Sequence, residues 1–99
     1  MMNLNSLVIE GKLLKTEKEN HAGVEVARFV IESGENAISR FDCEAYGIIA
    51  ERFPFSKCAE IRIVGKLKEK LFEHKGEQLS KIFIICEHLE CLKKIREVK

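Results

Sequence analysis

No stretch of this 99-residue chain stays apolar for the roughly 18–20 residues that a membrane-spanning helix needs. The opening Met-Met-Asn-Leu-Asn-Ser lacks the basic segment and apolar core of a secretory signal. No two of the four cysteines stand at Cys-x-x-Cys spacing, and the spacings do not suit a structural zinc site. A set drawn from Cys58, Cys86, His88 and Cys91 is the nearest approach to one. There is no Ser-His-Asp arrangement, no glycine-rich phosphate loop and no carboxylate pair at a defined position. These absences point away from an enzyme, a metal or a cofactor. Repeats, linkers and low-complexity runs are missing as well, so one domain is expected over residues 1–92, with a charged tail over 93–99.

Neither sign of charge dominates, since 17 Lys/Arg face 16 Asp/Glu for a net of +1. The distribution says more than the total. Residues 1–58 carry a net −2, residues 59–81 a net +2, residues 82–91 a net −2 and residues 92–99 a net +3. Positive charge gathers on one predicted strand and on the tail. With 45% hydrophobic residues the chain can bury one core without staples. Cys43 and Cys86 fall within apolar strands, where a thiol behaves as a small hydrophobe. Without an export signal, all four thiols are expected reduced in a cytoplasm.

Residues 61–72 alternate strictly, and strand side chains point to opposite faces with period 2. One face collects Ile61, Ile63, Gly65, Leu67, Glu69 and Leu71, and suits a core. The other collects Arg62, Val64, Lys66, Lys68, Lys70 and Phe72. Cations beside an exposed ring suit a polyanion with flat bases, which is single-stranded nucleic acid. The same row also fits a solvated face whose lysines blunt a sheet edge, and Phe72 also fits a core position at a strand end.

Alternation continues elsewhere. Leu7, Ile9, Gly11 and Leu13 share a face of a first strand over residues 4–15, followed by a polar loop from Thr16 to Gly23. Ala27, Phe29 and Ile31 share a face of a second strand, residues 24–33. A turn near Gly34 joins it to a third, residues 39–47, with Phe41, Cys43 and Ala45 inward. Ile48 to Phe53 reads as a short helix stopped by Pro54. Strands four and five, residues 59–72 and 78–91, are joined by a turn at His74–Glu77. The fifth is apolar on both sides through Ile82–Ile85 and is expected to be covered on both faces. Three strands, one short helix and two strands make the pattern of an all-β, five-stranded Greek-key barrel, the OB-fold. Gly11, Gly47 and Gly65 would ease crowding where a small barrel bends. Val8, Leu14 and Val30 lie opposite the expected core and call for a partner copy, so a homodimer or homotetramer is expected.

Four segments in order, Leu7–Leu13, Val26–Phe29, Phe41–Glu51 and Ile61–Leu67, resemble the bacterial single-stranded DNA-binding protein family over about residues 3–92. The resemblance implies an OB-fold that oligomerises and holds single-stranded DNA through basic and aromatic side chains, in a cytoplasmic, nucleoid-associated setting. It implies a site from Tyr46 before the glycine ending strand three, Phe72 where the family usually has tryptophan, Arg62 with Lys66, Lys68 and Lys70 along strand four, and Arg28 and Lys12 on strands two and one. Tyr46 fits equally a rim residue packed under a loop. Arg40 stands where the family commonly has an aromatic, and fits either a phosphate contact or a surface pair with Glu44.

Several features depart from that family. The second hairpin is short, about residues 34–39, and Asp42 and Glu44 share the face of Tyr46, where they repel phosphate. The Gly/Pro/Gln-rich linker and acidic tip that recruit replication or repair proteins are absent from this sequence. Weaker binding over a shorter footprint is expected. The primosomal replication protein PriB, a single OB domain, is a second resemblance, carried by Ser80–Glu90. The function expected is sequence-nonspecific single-stranded DNA binding in replication, repair or recombination. The alternatives are a PriB-like accessory role or an OB-fold protein-interaction module.

Overall fold

A computed structural model describes residues 5–36 and 38–96. Leu4, at the start of the expected first strand, and residues 97–99 of the expected tail lie outside the described residues. The elements in chain order are β1 (Leu7–His21), β2 (Val24–Ser33), β3 (Ser39–Tyr46), α1 (Ile48–Arg52), a 3₁₀ turn (Phe55–Lys57), β4 (Cys58–His74) and β5 (Glu77–Lys94). The strands close in the order β1-β2-β3-β5-β4. Only the β3–β5 seam is parallel; the other pairings are antiparallel. The expected five-stranded barrel with one short helix after β3 is the fold.

Period-2 alternation places the core. Phe29, Ile31, Cys43, Ala45, Ile61, Ile63 and Ile84 point inward and are buried. Phe55, from the 3₁₀ turn, packs on Phe29 with ring centres 5.1 Å apart and on Phe53 at 4.8 Å. Burying a side chain of this size contributes about 2–3 kcal/mol. α1 seats Ala50 in the same core. Gly47 leads into α1 at φ 66, a left-handed conformation that suits glycine, while its N–H donates to the Glu25 carbonyl at 2.8 Å. Gly65 lies where β4 and β5 approach closely: a Cβ there would abut the Ile85 carbonyl oxygen and stand 3.0 Å from Ile84 Cγ2.

The structure differs from the expected elements mainly beyond the barrel wall. Thr16–His21 is strand rather than loop and pairs with Val24–Phe29. It is polar on both faces because its own side chains are exposed throughout, although the β2 residues it pairs with include buried Val26, Ala27 and Phe29. β1 keeps its sheet through a register shift between Leu13 and Lys15, with its first half on β4 and its second on β2. β4 and β5 likewise run on as a second arm, exposed from Lys66 to Ile82. Leu67 therefore leaves the core at 46% exposure, and Ile82 at 62% is not covered as the apolar run suggested. β5 continues through Lys94, and the Ile95 N–H donates to the Lys57 carbonyl. Both arms end in two-residue turns with positive φ at both central residues, Ala22-Gly23 and Lys75-Gly76. That geometry matches the right-handed twist of paired strands. The arms raise the radius of gyration to 15.0 Å, against about 13 Å for a compact chain of this length.

Cys58 and Cys91 form a disulfide with Cα atoms 5.8 Å apart, tying the start of β4 to the end of β5. This overturns the expectation of reduced thiols for that pair, because the start of β4, where its register on β5 shifts between Cys58 and Ile61, lies beside the end of β5 and brings together two cysteines that stand 33 residues apart in sequence. Cys43 and Cys86 are free and buried side by side; hydrogen bonding to Cys86 and burial push the Cys43 thiol well above its ordinary range. Among the described residues, no three His, Cys, Asp or Glu side chains converge as a cation would require.

Candidate nucleic-acid interface

Register lines up outward side chains around the barrel. Lys15, Val30 and Asp42 lie in one row across β1, β2 and β3; Glu17, Arg28 and Glu44 lie in the next. The parallel seam pairs Glu44 with Ile85 and Cys43 with Ile84; Asp42 and Phe83 precede that last pair on their strands, and both line the groove. Across β5, Lys81 faces Lys70, Phe83 faces Lys68 and Ile85 faces Lys66. These rows enclose a groove of about 420 Å³. Its cations are Lys15, Arg28, Lys70 and Lys81, its carboxylates Glu17, Asp42 and Glu44, and its ring Phe83.

The charges inside are largely paired. Arg28 donates from Nη1 to Glu19 at 3.0 Å and from Nε to Glu44 at 3.3 Å, and these two carboxylates raise its pKa. Glu19 is held below the usual carboxylate range by the His21 ring at 2.6 Å and by Arg28. Lys81 Nζ lies 3.5 Å from Asp42 Oδ2. The Tyr46 hydroxyl donates to Glu44 Oε2. Burial first, and then Glu44, push Tyr46 up to about 12. Cations exceed carboxylates by one within the groove, a weak positive field that leaves room for a polyanion without forcing one.

Of the sequence-derived candidates, Arg28 and Lys70 line this groove. Tyr46 extends the same face of β3 past Glu44, half-exposed, and Arg40 extends it past Asp42. Arg40 pairs with Glu32 at 3.2 Å, not with Glu44. Glu32 is its direct cross-strand neighbour, whereas Glu44 lies four residues along the strand, about 13 Å away. Lys12 stands opposite Glu32 at that same end. Lys66 and Lys68 continue the cation row on β4, with Lys66 Nζ 3.9 Å from Glu87. Phe72 is 41% exposed near the tip of the β4–β5 arm, against Leu79. Arg62 does not reach the groove. It is clamped at 3.0 Å by both Glu10 and Glu90, where β4 lies between β1 and β5, and Glu10 leads in raising its pKa.

The sequence matches no known protein family and no curated protein. Among solved structures, the fold is similar to that of the mitochondrial single-stranded DNA-binding protein Rim1 of S. cerevisiae. The TM-score is 0.72, over 93% of this chain and 98% of that one, at 14% identity. The chain is an OB-fold. At that identity the likeness speaks of fold alone.

Lys15, Lys81 and Phe83 were not singled out by sequence, although they line the groove. For β5 the signal was present: Leu79, Lys81, Phe83 and Ile85 alternate as regularly as the row they face on β4. The apolar run Ile82–Ile85 obscured it. Lys15 gave none, because the register shift before it moves it onto the groove face.

Proposed function

We propose that this protein binds single-stranded DNA without catalysis. The observation carrying the proposal is the groove lined by Lys15, Arg28, Lys70 and Lys81 together with the ring of Phe83. Cations neutralise phosphates and release counterions, while a ring accepts the face of any base. Lys66 and Lys68 prolong the track along β4, and Tyr46 and Phe72 offer stacking surfaces at its ends. The fold it shares with Rim1, whose name records single-stranded DNA binding, supports the reading. We extend the reading to a role in DNA replication, repair or recombination. So does assembly into a homodimer or homotetramer, for which exposed Val8 and Leu14 supply apolar surface. Light scattering checks the assembly; a strict monomer at micromolar concentration refutes it.

The test of binding is fluorescence anisotropy of labelled oligo-dT over a range of salt. About four phosphate-neutralising cations give a slope of log K against log salt near −3. A second reading has an observation of its own. Arg28 and Arg62 are each held by two carboxylates, and three carboxylates line the groove, which suits a charged protein partner or a PriB-like accessory role. Absence of binding at low salt favours that reading.

A further inference from the structure

Carboxylates are costly in a groove that holds only phosphates, so the position of Asp42 calls for a reason. It stands on β3 one residue before the Cys43–Ile84 pair of the seam, as Phe83 does on β5, and both line the groove. Neighbouring strands lie about 4.8 Å apart, which is close to the reach from the centre of a stacked base to its pairing edge. A base laid on Phe83 with its pairing edge turned towards β3 reaches Asp42. Lys81 Nζ sits 3.5 Å from Asp42 Oδ2, and both side chains are about half exposed, at 57% and 50%. The edge thus meets a donor and an acceptor side by side. Lysine only donates and a carboxylate only accepts.

We infer that Lys81 and Asp42 read guanine in the bound strand, an inference that rests on the nucleic-acid function proposed above. Guanine presents the O6 acceptor next to two adjacent donors, N1–H and the N2 amine. O6 accepts from Lys81, and the two donors fork onto the Asp42 carboxylate, which holds them as a bidentate acceptor. Thymine offers a single N3–H between two carbonyl oxygens, and the second carbonyl faces the carboxylate with like charge. Cytosine and adenine each offer one amine beside a ring nitrogen that can accept from Lys81, so they engage one carboxylate oxygen and lack the second donor that guanine forks onto Asp42. Phosphate contacts supply affinity for any strand, and this pair adds a preference among bases.

The experiment compares three labelled DNA strands of equal length in lithium buffer, which suppresses guanine quadruplexes. One repeats TTG, one has inosine at every guanine position, and one is oligo-dT. Inosine differs from guanine only in lacking the N2 amine. The TTG strand is expected to bind at least about fivefold tighter than its inosine counterpart. In Asp42→Asn that ratio collapses towards one, while oligo-dT binding holds or strengthens because a groove anion is gone. Equal affinity of the guanine and inosine strands, with oligo-dT still bound, overturns the inference and leaves the function standing. Failure of all three strands to bind overturns both.

Discussion

Replacing Gly65 with alanine places a methyl group directly against the Ile85 carbonyl oxygen, with the Ile85 carbonyl carbon at 3.1 Å and Ile84 Cγ2 at 3.0 Å. The first two are backbone atoms, so no rotamer change relieves the overlap. β5 must move away from β4, and Gly65 lies on the register between Leu7 on β1 and Cys86 on β5. That movement weakens ladder hydrogen bonds worth about 1 kcal/mol each and loosens the packing of Ile84, for an expected loss near 3 kcal/mol. For a chain of this size the midpoint of thermal unfolding should fall by about 15 °C. Urea unfolding followed by circular dichroism measures the loss. Gly23→Ala is the control: nothing lies within 4 Å of its Cβ, and only its φ of +87 opposes the change, at about 1–2 kcal/mol. The displacement also shifts Ile85 relative to Glu44 at the β3–β5 seam, so oligonucleotide affinity should fall with stability. If Gly65→Ala stays within about 0.5 kcal/mol of the parent, β4 and β5 do not approach as described, and the groove built on their register goes with them.

Phe83→Ala removes the ring of the groove and should weaken oligonucleotide binding by about 1–3 kcal/mol without changing the salt slope; anisotropy titration would show an unchanged affinity if no base stacks there. Reducing Cys58–Cys91, which closes a loop 33 residues long, should lower stability by about 3–4 kcal/mol; identical urea midpoints with and without reductant would refute the tie. Cys43 and Cys86, both buried, should resist thiol reagents in the native state, and rapid labelling would contradict their burial. Tyr46 is the single tyrosine and tryptophan is absent, so ultraviolet titration reads it alone. Its phenol should ionise near 12 rather than 10. A raised pKa favours the neutral form in the fold, so this contribution is intact below pH 10 and fades as pH climbs through 12. Glu44→Gln should move the midpoint back towards 10, and a native midpoint already at 10 would refute both causes.

The barrel was legible in the sequence because its core obeys period 2. Ile61 and Ile63 on β4, Phe29 and Ile31 on β2, and Cys43 and Ala45 on β3 all point where alternation puts them. The wall is buried on one face only, so each inward position had to be apolar and each outward one was free. Past the wall that pressure ends. Thr16–His21 carries no inward face to mark it as strand, and Leu67 and Ile82 keep an apolar character with no core to enter. Arg62 belonged by alternation to the same row as Lys70, yet β1 lies against one and not the other, so Glu10 claims the arginine.

The sequence by itself determined which side chains of the barrel wall face inward and how many strands close the barrel, because these follow from spacing along one strand. Tertiary structure alone decided which outward residues meet. The register shift in β1 and the parallel β3–β5 seam bring Lys15, Asp42, Phe83 and Lys81 into one groove from three separate stretches of chain. The pairing of β4 with β5 likewise brings Cys58 within disulfide reach of Cys91. Neighbours across strands depend on register between distant segments, which no local pattern encodes.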